Sequence, residues 1–141
     1  MANADRVTAG RGIALAGALL AGLGVALGAF GAHGLRATLD AQALGWWQTG
    51  VQYQMWHAVA LIALTALRGV RTHVPAWLIA AGTIVFSGSL YIMALTGARW
   101  LGAVTPIGGL LMIAGWCLLA WRLSNPGATA TSQEKTFRPC L

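Results

Sequence analysis

Charged side chains in this chain stand only at the ends of four long apolar runs or in the connectors between them. A soluble core cannot use so many uncharged residues in unbroken stretches, because each helix of a water-soluble domain needs one charged or polar face. Only 9% of the 141 residues are charged and 57% are hydrophobic, whereas about a quarter of a soluble domain is charged. A lipid bilayer is therefore the natural solvent. The net charge of +6 would suggest nucleic acid on a soluble domain. Here the basic residues flank apolar runs, and an orientation signal and anionic headgroups account for them without any nucleic-acid partner.

The runs predict an all-α, integral membrane four-helix bundle with spans at about 13–32, 50–67, 76–95 and 105–123. Each is near the ~20 residues that cross ~30 Å of hydrocarbon. Residues 1–12 form a short polar lead on the cytoplasmic side, and 124–141, polar with two prolines, reads as a disordered tail. The lead followed by an apolar run resembles a signal peptide, but the run exceeds the usual apolar core of such peptides, about 7–15 residues. Leu35, Leu39 and Ala43 recur at four-residue spacing before the Trp46-Trp47 pair, which predicts a short interfacial helix between spans 1 and 2. Pro75 and Thr105-Pro106 fit helix starts, with Thr105 as the expected N-cap.

Arg6, Arg11, Arg68, Arg71, Arg122, Lys135 and Arg138 fall on one side of a four-span arrangement and only Arg36 and Arg99 on the other. The positive-inside rule then puts both termini in the cytoplasm. Cys117 and Cys140 have no disulfide or metal-binding spacing, and Cys140 is not in the position prenylation requires.

Helix 1 carries Gly17, Ala21, Gly24, Gly28 and Gly31 in one stripe, with Ala14, Ala18 and Gly22 as a second stripe beside it. Small residues let helix backbones approach, so helix 1 is expected at the centre of the bundle with protein on two sides. The stretch from Thr49 to His57 (TGVQYQMWH) brings more hydrogen-bonding side chains to membrane depth than any other. Gly50, Gln54 and His57 share one helix face and match the glycine spacing of helix 1. They predict a hairpin packed through Gly17, Ala21, Gly24, Gly28, Gly50, Gln54 and His57, in which His57→Leu is more damaging than His33→Leu. A sharper alternative joins His33 and His57 at one mouth, with Gln54, Tyr53 and Gln52 as further contacts, to hold haem, a quinone or a lipid. No metal-spaced cluster or CxxCH sequence supports it. A Ser-His-Asp set, a phosphate loop and a carboxylate pair are also missing from the sequence, which argues against an enzyme. The lack of charge inside the spans, Arg122 standing at the very end of the fourth, argues against an ion-coupled carrier.

The segments GAFGAHGL (28–35), TGVQYQMWHAVAL (49–61), FSGSLY (86–91) and TPIGGLLMIAGW (105–116) resemble the YgdD-like family of small membrane proteins, a domain of unknown function. The resemblance covers about Ile13 to Leu123. It implies a four-helix integral protein, in bacteria one of the inner membrane, and brings no activity, cofactor or catalytic residue. Together these readings point to a multi-pass, non-enzymatic inner-membrane protein without a bound cofactor or metal. It would act as an accessory or interaction subunit, or by self-association, and the alternative is a ligand binder at the His33/His57 mouth.

Overall fold

The computed structural model describes residues 2–67 and 70–125, with side chains from Gly10 onward. Arg68, Cys140 and nearly all of the expected 124–141 tail lie outside the described residues. The elements are α1 (Ala2–Phe30), continued by a π-helical turn over Gly31–Leu35, then α2 (Ala41–Leu64), α3 (His73–Thr96), a 3-10 turn over Arg99–Ala103, and α4 (Thr105–Ser124). All regular structure among the described residues is helical. Three stretches are long and apolar enough to cross a membrane: Gly10–Leu35, His73–Thr96 and Arg99–Ser124.

Two expected boundaries differ, for physical reasons. The polar lead is not separate from helix 1, since its Ala-rich sequence continues the same helix back to Ala2. Nor is there an interfacial helix between the first two helices. Leu35 ends the π turn, and Asp40 starts α2 by accepting a hydrogen bond from the Ala43 amide at 2.7 Å, so Ala43 and the tryptophan pair already belong to α2. The four-residue periodicity of Leu35, Leu39 and Ala43 was real as a packing pattern. It spans a chain reversal, where Leu35, Ala43, Trp47 and Ala94 bury themselves in one cluster.

Successive helices pack side by side, α1 on α2, α2 on α3 and α3 on α4, while among the described residues α4 has no backbone approach to α1 or α2. The centre is therefore α3. Half of its apolar stretch is buried, compared with 17% for α1 and 22% for α4. This corrects the expectation of a central helix 1: its first glycine stripe meets α2, but of the second stripe Ala14 is half-buried while Ala18 and Gly22 are exposed.

Glycine permits the closest approach, between α3 and α4. A Cβ on Gly82 would lie 2.7 Å from the Gly108 carbonyl oxygen, and one on Gly108 would meet the Phe86 amide nitrogen. Gly108, Met112, Gly115 and Leu119 form the buried stripe of α4. Pro75 and Pro106 sit in the first turns of α3 and α4, where a missing N–H leaves no bond unmade. Thr105 does not cap α4. Its hydroxyl donates to the Leu101 carbonyl (3.2 Å) and pairs with the Ser89 hydroxyl of α3 (2.8 Å). Gly97 ends α3 in the left-handed region at φ 69°, as glycine C-caps commonly do.

Gly108→Ala must push two backbones apart. It should lower stability by ~1–3 kcal/mol, seen as a lower thermal transition in detergent. Gly88→Ala, with nothing within 4 Å of its added methyl, should hold or gain up to ~1 kcal/mol from helix propensity. Equal transitions for the two variants would contradict this packing.

Candidate functional site

The polar stretch of α2 divides into an inner and an outer set, and the two have different fates. On the inner side Gln54, only 3% exposed, spans three helices. Its Nε2 donates to the Leu20 carbonyl of α1 at 2.8 Å, and its Oε1 accepts from the Tyr91 hydroxyl of α3 at 3.0 Å. Two turns earlier, Trp47 Nε1 donates to the Leu27 carbonyl at 2.9 Å, and Ser87 of α3 donates to the Gly50 carbonyl, also at 2.9 Å. No buried side-chain polar atom among the described residues is left without a partner. That is what a medium with no competing water demands.

Rings fill the space around these bonds. The Trp47 ring lies 4.7 Å from the Tyr91 ring and 6.0 Å edge-on to Phe30, both within the range of favourable aromatic pairs. Gly50 is required here, since a Cβ would lie 2.8 Å from the Tyr91 ring. Gly31 is required for the same reason, with the Trp47 indole 2.6 Å from where its Cβ would stand. Leu27, whose carbonyl Trp47 takes, lies one turn before Gly31, where helix 1 widens from α to π. Insertion of a side-chain donor into the backbone ladder is a known cause of such distortions.

The residues singled out in the sequence separate as follows. Gly17 faces Ala58 and Ile62, Gly24 faces Met55 and Gln54, and Gly28 faces Val51, so these three glycines line the contact with α2, and Ala21 beside them is half-buried. Gly50 packs instead on Tyr91 of α3. His57 does not press on helix 1. It is half-buried, its Nδ1 lies 2.7 Å from the Tyr53 carbonyl of its own helix, and its ring stands between Tyr53 (6.0 Å) and Trp116 of α4 (6.2 Å).

His33 and His57 do not share a mouth. His33 is exposed in the π turn. Gly17 against Ala58 and Leu27 against Trp47 set the register, and at ~1.5 Å per residue the two histidines are roughly 20 Å apart along the bundle. The spacing that suggested their pairing ignored that α2 begins at Ala41, which carries His57 beyond the midpoint of that helix.

Gln52, Tyr53, Trp56 and His57 line an open hollow of 390 Å³ on the outer side of α2. Tyr53 is 42% and Trp56 70% exposed, and Tyr53 rests on Phe86 of α3 with ring centroids 4.6 Å apart. Because a carbonyl can only accept, the 2.7 Å contact assigns the proton of a neutral His57 to Nδ1 and leaves Nε2 as a bare acceptor. Among the described residues no three His, Cys, Asp or Glu side chains come together.

Sequence reasoning allows Ser87 a bond within its helix or across to a neighbour, and Ser87 makes the latter, but the interhelical roles of Tyr91 and Trp47 were missed. A usable signal existed: Ser87 and Tyr91 are four residues apart on one face, as Gly50 and Gln54 are on the facing helix.

Comparison with known proteins agrees with this membrane architecture. A family model described as "Protein of unknown function (DUF423)" matches residues 27–109. A UPF0382 membrane protein of Staphylococcus haemolyticus is 48% identical over 106 residues, covering 73% of this chain and 87% of the relative. A UPF0382 membrane protein of Haemophilus influenzae is 48% identical over 102 residues, covering 69% and 81%. The UPF0382 inner membrane protein YgdD of Escherichia coli K12 is 42% identical over 114 residues, covering 74% and 86%. No solved structure matches the chain.

Gln54→Leu strands the Tyr91 hydroxyl in the core and should cost more than His57→Leu, which removes a bond made only within one helix. With ~0.6–2 kcal/mol per interhelical bond, the Gln54 variant should melt several degrees below the His57 variant in the same detergent. The opposite order would refute the assignment.

Proposed function

The chain belongs to the DUF423 family of UPF0382 membrane proteins, and from that footing we propose that it is a non-enzymatic interaction component of the bacterial inner membrane. It acts as a self-associating or accessory subunit. The observation that carries this reading is the outer face of α1. Gly22 there has nothing within 4 Å of where a Cβ would stand, and Ala18 beside it is exposed. A glycine inside a helix costs ~1 kcal/mol relative to alanine, and among the described residues Gly22 gains no interhelical contact in return. A face of small residues recovers that cost when another helix packs closely against it.

The same proposal has the chain cross the bilayer four times with both termini in the cytoplasm. At 24 residues and ~1.5 Å per residue, α2 is long enough for a ~30 Å core. Its low apolarity is offset by the pairing of Gln54 inside the bundle. Arg122 donates to the Arg71 carbonyl, a bond between the end of α4 and the start of α3 that supports gathering the basic side at one surface, with Arg36 and Arg99 at the other.

Native mass spectrometry from mild detergent should find the wild type with a second copy or a companion subunit. Gly22→Leu should lose that association while keeping its thermal transition, because the position is exposed and no other helix among the described residues comes within 4 Å of where its Cβ would stand. A wild type that is strictly monomeric and without a companion would contradict the proposal. For topology, Gly102→Cys in a background lacking Cys117 and Cys140 should react with a membrane-impermeant thiol reagent on spheroplasts, and Thr72→Cys should not. Labelling in the reverse pattern would invert the orientation.

A further inference from the structure

Among the four helices, only α2 turns amide, phenol and imidazole groups outward near the middle of its length. The outward large residues of α1 and α3 near their midpoints are aliphatic, among them Leu15, Leu19 and Ile84, and those of α4 are Leu110, Ile113 and the indole of Trp116. On α2, Ala41–Leu64, the exposed residues at mid-helix are Gln52 and Tyr53, followed by Trp56. Among the described residues the Gln52 amide, the Tyr53 hydroxyl and the Trp56 indole N–H have no hydrogen-bond partner. Lipid tails cannot supply one, and each unmade bond in hydrocarbon costs several kcal/mol. These groups line the 390 Å³ hollow, which falls within the size range of small-molecule sites, ~300–1,000 Å³.

The chemistry of the hollow restricts its occupant. Its position at mid-helix and its sideways opening require a ligand that arrives through the membrane. None of its lining residues, Gln52, Tyr53, Trp56 and His57, carries a fixed charge, so it does not match a phosphate or ammonium headgroup. His57 Nε2 is an acceptor and needs a ligand hydroxyl. The Gln52 amide can donate its N–H to a second ligand oxygen, and the Tyr53 hydroxyl can donate or accept. Tyr53 and Trp56, with Trp116 across the His57 ring, offer faces and edges for a planar ring. We propose that this hollow binds a lipid-soluble hydroquinone, its ring seated against Tyr53 and Trp56, one hydroxyl donating to His57 Nε2, the other oxygen accepting from the Gln52 amide, and its apolar tail left in the bilayer. The site uses the outer side of α2 and is separate from the small-residue face of α1, so it rests on the proposed crossing of the bilayer by α2 and not on the association proposed above.

The full chain in nanodiscs of quinone-free phosphatidylcholine and phosphatidylglycerol tests this. Retention of a decyl-chain hydroquinone would be measured anaerobically against empty nanodiscs. Saturable retention near one per chain is expected. The dimethyl ether of the same compound, which lacks the donors, should bind about tenfold more weakly, as should His57→Phe and Gln52→Leu, the loss corresponding to about one hydrogen bond. Gly22→Leu should bind as the wild type does. Gln52 is exposed, so its variant should keep the wild-type thermal transition even if the His57 variant loses some stability. Retention equal to that of empty nanodiscs, equal binding of the ether, or unaltered binding by the folded Gln52 variant would overturn the proposal.

Discussion

A carboxamide placed inside a membrane protein has to have both of its ends bonded, because there is no water to take either. Gln54 meets that constraint by reaching back to a carbonyl of α1 and forward to the phenol of α3. The remaining packing follows from it. The amide can reach Leu20 only if α1 comes close, and the glycines Gly17, Gly24 and Gly28 along that contact let it do so. The phenol can reach the amide only by crossing Gly50, the one residue type whose backbone leaves room for the Tyr91 ring. Trp47 and Ser87 extend the same logic one level towards the π turn, each giving its hydrogen to a carbonyl of a neighbouring helix.

This arrangement makes α2 an intermediary. Among the four helices it alone lacks a stretch long and apolar enough to cross a membrane by composition, and its inner polar groups are paired with the helices on either side. The α3–α4 contact is built differently, on Gly82 and Gly108 backbones in near contact, with the Thr83 hydroxyl 3.6 Å from the Met112 sulfur and Ser89 paired with Thr105. One half of the bundle is thus held by side-chain amide, indole and hydroxyl bonds and the other mainly by close backbone packing. The outer side of α2 lacks both, and this sets it apart from the lipid-facing sides of its neighbours.

Much of the architecture could be read in the chain before any coordinates. Uncharged runs marked α1, α3 and α4, prolines marked two helix starts, and four-residue glycine spacing marked the face of α1 that meets α2. What could not be read was which neighbour each α2 residue would meet. Gly50, Gln54 and His57 do share a helical face, but a face about 100° wide on a helix packed between two others serves both, and periodicity cannot say which residue turns to which. The reversal after Leu35 was misread because Leu35, Leu39 and Ala43 keep helical spacing across a chain turn, and the cap that breaks it is a single Asp40. Moving the start of α2 to Ala41 carried His57 away from His33 and dissolved the two-histidine mouth, while leaving Tyr53 beside His57.

The bond between Gln54 and Tyr91 can be isolated in a double-mutant cycle of Gln54→Leu and Tyr91→Phe, with stability measured by reversible unfolding in the same detergent or bicelle. The two substitutions should be strongly non-additive, with a coupling of ~0.6–2 kcal/mol, because once either partner is gone the other has no bond left to lose. Additive effects within ~0.3 kcal/mol would mean that the amide does not join α2 to α3, and the account of how this bundle is held together would be wrong.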